Sequence, residues 1–186
     1  WVGRNGVLIC GGPSLRGFDV ERLRGKAVVV AINDAIRVAP WADVAFTIDA
    51  IWLEKRAGEL SAFQGEKLAA VANDSDGLSC LHRRSAASLS LDMTTVCTGG
   101  NSGFAALGMA MMRGAGKIGL LGYDMNGKGH FHGGYDWYCR FGSEFYPHWV
   151  KGFAVLGIAA SRSGVQIVNC NPASAIKCFR FGKIED

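Results

Sequence analysis

At 186 residues, 49% hydrophobic and 19% charged, the chain has a globular composition and the size of one domain rather than two. Its net charge of +4 is spread along the chain, without the concentrated basic stripe of a nucleic-acid binder, and adjacent Arg83 and Arg84 read as a solvated pair. No apolar run approaches the roughly 20 residues of a membrane helix. Without a basic-plus-apolar stretch at Trp1, no signal peptide is expected. The six cysteines, at 10, 80, 97, 139, 170 and 178, form neither a CxxC nor a zinc-finger spacing. A reduced, cytoplasmic protein that binds a small anion is the expectation, with self-association left open.

In chain order, Val7–Cys10 is a first strand, ending in the Gly11, Gly12, Pro13, Ser14 turn. Lys26–Ile32 is a second, ending at Asn33 and Asp34, and Asp43–Ile48 a third, ending at Asp49. All three are continuous apolar runs, as expected of strands buried on both faces. The connections are short, with weak helical periodicity at Val20–Leu23. Lys67–Val71 reads as a fourth strand or a helix. Residues 73–97 are polar and Ser-rich; they predict one irregular strand near Ala86–Leu91 or a flap over the site.

Thr98 to Gly103 (TGGNSG) then opens a helix running through Arg113, with Thr98 or Asn101 as its N-cap and Gly114 just past its end. Lys117–Leu121 is the next strand, ending at Gly122-Tyr123-Asp124. A long loop, Met125 to Tyr146, is crowded with Gly, His and aromatic residues, and connections of that length are usually functional. Pro147 starts a helix that ends at Ser163 before Gly164. Val165–Asn169 is the last strand, and Ser174–Phe179 a short closing helix. The alternation predicts an α/β, Rossmann-like three-layer sandwich: a mostly parallel central sheet with helices on both faces, as one domain over residues 1–186.

In such sheets ligands bind beyond the carboxyl ends of the strands. Here those ends carry Gly11–Ser14, Asn33-Asp34, Asp49, Gly122–Asp124 and Asn169–Asn171. The Gly11–Ser14 turn could face an anion with its N–H groups, although it is neither GxGxxG nor a P-loop. Thr98, Asn101, Ser102 and Gly103, at a helix start, form a second phosphate candidate. Asp49 and Asp124 could hold a ribose hydroxyl or Mg²⁺, or cap the following helices. His130 and His132, with Asp124 and Asp136, have the composition of a metal site, but proton acceptance by His132 or His148 is the better reading. Trp137, Tyr138, Phe141 and Tyr146 could form a lid stacking on a sugar or base.

The order of GGPSL (Gly11–Leu15), AIND (Ala31–Asp34), the long block Thr98–Met125 and VNCNPASAIKCF (Val168–Phe179) resembles the compact bacterial sialyltransferases that use a CMP-sugar. It also resembles the related proteins similar to 6-hydroxymethylpterin pyrophosphokinase, whose uncharacterised relatives are often phage-encoded. The likeness spans nearly the whole chain. The sialyltransferase resemblance implies that Gly11, Gly12 and Ser14 approach the nucleotide, that Asn33 and Ser102 face it, and that His148 is the base of an inverting transfer that needs no cofactor. The pyrophosphokinase resemblance implies Mg²⁺, with Asp49 and Asp124 as its ligands. A non-catalytic assembly module that keeps the fold is the third alternative.

Overall fold

The structure is a computed structural model, and it describes residues 1–71, 78–135, 137 and 143–185. The strands are β1 (Asn5–Ile9), β2 (Val28–Ile32), β3 (Val44–Thr47), β4 (Glu66–Ala69), β5 (Ser79–Cys80), β6 (His82–Arg84), β7 (Thr95–Cys97), β8 (Lys117–Leu121), β9 (Gln166–Asn169) and β10 (Arg180–Phe181). The helices are α1 (Ala50–Lys55), α2 (Ala57–Ala62), α3 (Ser102–Met112) and α4 (Tyr146–Ser163). Eight strands form one sheet in the order β10-β9-β8-β1-β2-β3-β4-β5, and every pairing in it is parallel. β6 and β7 make a separate parallel pair.

The chain builds outward from β1 through β2, β3 and β4, then returns to place β8 on the other side of β1. The strand order therefore reverses between β1 and β8, and diverging connections leave a crevice at the carboxyl ends there.

Alternate residues of the apolar strands feed two cores. Leu8, Val30, Ile32, Phe46, Ile118 and Leu120 face α3 and α4, meeting Phe104, Leu107, Phe153 and Leu156. Val7, Ile9, Val29, Ala31 and Ala45 face the other way, onto Leu15, Val20, Leu23 and the α1 residues Trp52 and Leu53. Helices thus cover both faces, although three short 3-10 turns at Pro13–Leu15, Val20–Leu23 and Asn33–Arg37 supply much of the second layer. α3 is buried from Gly103 through Met111, and its Ala and Gly residues let it lie close to the sheet.

Two expectations are corrected. Residues 86–91 contain no strand; pairing instead falls on either side, at β6 and β7. Residues 174–179 are irregular rather than helical, because Ser174 and Asn171 use their side chains on local backbone: Ser174 Oγ accepts from Ile176 N and Asn171 Oδ1 from Ala173 N. A helix after Asp49 is one of the two readings of that residue, although no periodicity marks residues 50–62. Asp49 starts α1 by accepting from the Ile51 and Trp52 amides. The expected boundaries of α3, β8 and α4 agree with the structure to within about a residue, and Gly164 at φ 74° ends α4. Among the described residues no helix is long and apolar enough to cross a membrane.

Phe153 sits at the centre of the α3–α4 core, fully buried and edge-on to Phe104, Tyr123 and Phe179. Phe153→Ala is expected to cost about 3–4 kcal/mol in urea denaturation with an unchanged m-value. A loss below about 1 kcal/mol would mean that this core collapses around the gap.

Candidate functional site

Two strand ends are locked together at the switch point. Cys10 N donates to Leu121 O and Gly12 N to Gly122 O, each at 2.8 Å, and Asp124 accepts from Ser14 N (3.1 Å) and Ser14 Oγ (2.6 Å). The approach tolerates no side chain: a Cβ on Gly12 would overlap the Asp124 carboxylate and Gly122 O. The Gly12 and Ser14 amides expected to face an anion are therefore used inside the protein. Asp124 is buried and fastens this turn; it neither caps a helix nor stands free for Mg²⁺.

Beside this lock lies a cleft of about 390 Å³, within the range of small-molecule sites, with a smaller hollow of about 60 Å³ adjoining it. The ends of β1, β2 and β3 contribute Cys10, Asn33, Ile48 and Asp49. The start of α3 contributes Gly100, Asn101, Ser102 and Gly103, and the far wall is Met125, His130, Tyr135, Tyr146 and Trp149. The smaller hollow adds Gly11, Gly12 and Asp124.

Its polarity is partly unsatisfied. Asn101 caps α3 by accepting from Phe104 N at 2.8 Å, which leaves its Nδ2 buried without a partner. Asn33 hydrogen-bonds the Tyr135 phenol, while its Oδ1 is likewise buried and unpartnered. Buried polar atoms without partners are uncommon and call for an explanation. Asn33 (φ 53°) and Met125 (φ 48°) are also the two non-glycine residues with positive φ among those described, and both line the cleft. Gly100 (φ 83°) leaves room that a Cβ would take from the Trp149 indole nitrogen.

The two histidines singled out from the sequence do not line the cleft. His148 is exposed on the first turn of α4, next to cleft-lining Trp149. His132 is buried behind the wall, its Nδ1 2.9 Å from Gly134 O and its Nε2 3.8 Å from Asp34 Oδ2. His130 faces the cleft instead, and burial, with the like charge of His132, lowers its pKa below the ordinary histidine value. It is therefore neutral at pH 7 and able to accept a proton. Burial pushes the Cys10 thiol up to about 11, so it stays protonated. Burial also raises the phenol of Tyr135 well above its usual value, keeping it a hydrogen-bond donor.

Asp34 and Thr98 were expected at the ligand and belong to the scaffold. Thr98 is fully buried beneath the α3 turn. Asp34 is 1% exposed and accepts from Trp52 Nε1 (2.8 Å), Arg56 Nε (3.0 Å) and Arg56 Nη2 (3.2 Å). Burial alone would raise its pKa, but the hydrogen bonds from Arg56 and Trp52 and the guanidinium charge together hold it below the aspartate value. Asp49 both caps α1 and lines the cleft, whereas Pro13 and Ser14 lie outside it. Asn169 and Asn171 shape the turn after β9 and are not part of the lining. Asp136, Tyr138 and Phe141 fall outside the described residues, while Trp137 packs on Tyr135 at 4.5 Å.

Sequence reasoning missed Arg83, which leaves the expected solvated pair to donate to Ile48 O at 3.2 Å and line the cleft. Its only sequence signal was its charge. His130 was visible in the HxH pair, but nothing in the spacing said which ring would face inward.

No protein-family model matches the sequence, and no curated protein matches it. Among solved structures the chain is similar to the sialyltransferase CstII from Campylobacter jejuni in complex with the substrate analogue cytidine-5'-monophosphate. That alignment covers 97% of this chain and 85% of that one, with a TM-score of 0.56 and 13% identity. The sialyltransferase CST-II in complex with a trisaccharide acceptor and CMP aligns over 96% of this chain and 85% of that one, with a TM-score of 0.50 and 12% identity. At these identities the likeness is one of fold.

Asp34→Asn is expected to destabilise the protein by about 3 kcal/mol at neutral pH, because the mutation leaves Arg56 without its buried charge partner. A carboxyl pKa held low in the fold stabilises above the unfolded value, about 3.9, and loses that effect as pH falls through the folded value. The gap between wild type and variant should therefore close on acidification below about pH 4 in urea titrations. A gap independent of pH would contradict an ionised Asp34.

Proposed function

We propose that the cleft binds a CMP-sugar and that the protein transfers its sugar to a hydroxyl acceptor with inversion, without a metal cofactor. One observation carries the reading. A cleft at the sheet's switch point is lined by Asn33, whose Oδ1 is a buried acceptor without a partner, by Asn101, whose Nδ2 is a buried donor without one, and by the first turn of α3. The fold that holds it is similar to that of a sialyltransferase bound to cytidine-5'-monophosphate.

In this reading the amides at the start of α3 and the Arg83 guanidinium meet the phosphate, where a helix terminus and a cation favour negative charge. Asn33 and Asn101 complete their hydrogen bonds on the nucleotide. The acceptor oxygen attacks the anomeric carbon opposite the phosphate, and the bond from that carbon to the phosphate oxygen breaks. CMP leaves with the bonding electrons, and the acceptor's proton passes to an imidazole. Groups that stabilise the growing charge on the leaving phosphate, Arg83 and the phenols of Tyr135 and Tyr146, act most strongly in the transition state.

His148, which the resemblance makes the base, is exposed on the first turn of α4, next in sequence to cleft-lining Trp149. A second reading gives the proton to His130, on the observation that His130 lines the cleft and is held neutral. The diphosphotransferase alternative is less favoured, because Asp49 is engaged as the α1 cap and Asp124 in the Ser14 turn.

Calorimetric titration with chelator present is expected to show CMP binding at least about tenfold tighter than UMP or ATP. With a CMP-sugar donor, His148→Ala is expected to lose a factor of about 10² to 10⁴ in kcat while keeping CMP affinity. That kinetic loss appearing in His130→Ala instead would assign the base to His130. Absence of nucleotide binding in the wild type would remove the transferase reading and favour a non-catalytic module.

A further inference from the structure

The loop that forms the far wall of the cleft should be hard to hold still. Gly127, Gly129, Gly133 and Gly134 all take positive φ, and glycine-rich backbone loses much conformational entropy on ordering. The first part of the wall is tied to the sheet: Phe131 N donates to Gly11 O at 2.8 Å, and the Arg16 guanidinium donates to the carbonyls of His130 (2.9 Å) and Phe131 (3.0 Å). The second part, which carries Tyr135, has a different anchor.

That anchor is the His132 ring. Its side chain is 8% exposed and lies behind the wall rather than in the cleft. Gly134 O can only accept, so His132 Nδ1, 2.9 Å away, carries a hydrogen. His132 Nε2 is buried, has no hydrogen-bond partner, and stands 3.8 Å from the Asp34 carboxylate, whose charge Arg56 and Trp52 fix from α1 and the residue after it. When the ring is protonated, this approach is an ion pair between the loop and the buried carboxylate. The faces of the same ring hold the cleft residues: His130 stacks on it at 5.0 Å and Tyr135 leans on it at 4.8 Å. Asp34 reaches Tyr135 by a second route, since the Arg56 guanidinium covers Trp137, which packs on Tyr135.

We propose that His132 is a positioning residue: by joining the glycine-rich loop to Asp34, it holds His130 and Tyr135 in the wall of the cleft. It takes no part in proton transfer to or from substrate. Asp34 acts with it, which gives the aspartate beside Asn33 a purpose other than ligand contact.

Part of the test needs no ligand. In His132→Ala, hydrogen exchange at the Gly133 amide, which donates to His130 O, is expected to speed up by about tenfold or more, while the Phe131 amide, held by Gly11, and amides of β1 and β8 keep their protection. His132→Gln, whose side-chain amide can donate to Asp34 from the position of Nε2, should restore protection. The second readout rests on the cleft being a CMP site. His132→Ala should weaken CMP binding about tenfold and lower kcat/KM for a CMP-sugar by at least as much, because Tyr135 acts in the transition state, and His132→Gln should recover most of both. Unchanged exchange in His132→Ala, or failure of His132→Gln to rescue it, overturns the proposal. A kcat loss with unaltered CMP affinity also overturns it, in favour of a direct catalytic role. If the wild type binds no CMP, the transferase reading fails while the exchange experiment still decides the role of His132.

Discussion

The architecture of the site depends on one close approach, where the end of β1 is locked against the end of β8. Two backbone hydrogen bonds and the Asp124–Ser14 pair hold the junction, and Gly12 is there because no Cβ fits between the turn and the carboxylate. Since β1 and β8 are the strands between which the order reverses, fixing their ends fixes the floor of the crevice. Buried Asp124 is costly unless paired, and Ser14 supplies the pairing locally. Its charge therefore serves geometry rather than ligand chemistry.

Around that floor the protein separates rigid from available polarity. Asp34, Thr98, Asn169 and Asn171 are polar groups at or near strand ends that the fold consumes in hydrogen bonds or burial. Asn33, Asn101 and Asn171 each use one end of the amide structurally and leave the other end buried without a partner, and of the three only Asn33 and Asn101 line the cleft. An unsatisfied buried group costs on the order of 1–3 kcal/mol, and a ligand that completes the bond recovers much of it. The histidine pair shows the same division. His130 faces the cleft as a neutral ring, while its stacked neighbour His132 faces the buried carboxylate behind it.

Much of the fold was legible because the strands are buried on both faces. Their continuous apolar runs, and the glycine stops at Gly114 and Gly164, mark β1–β3, β8, α3 and α4 without knowledge of the tertiary structure. The failures have physical causes. α1 and α2 are one and a half turns each, too short for periodicity to show; one is started by the Asp49 cap, which the sequence offered as an equal alternative to ligand contact, and by Trp52 burial, which it did not show. The stretch 174–179 looked helical but spends its polar side chains on local backbone. For the site, strand ends and the α3 start pointed to the correct edge of the sheet, because topology alone places ligands there. Which side chain of a pair faces inward was not legible. His130 over His132, Asn33 over Asp34, and Arg83 over Arg84 are each decided by packing against residues distant in sequence.

The central claim is that the unsatisfied amides of the cleft form a nucleotide site, and chemical-shift mapping tests it most directly. In ¹⁵N-labelled protein titrated with CMP under chelator, the account predicts saturable shifts at the side-chain amides of Asn33 and Asn101 and the backbone amides of Gly100 to Gly103. The buried amides around Val168 on β9 should remain still. Shifts confined to residues outside the cleft, or none at all, would contradict it.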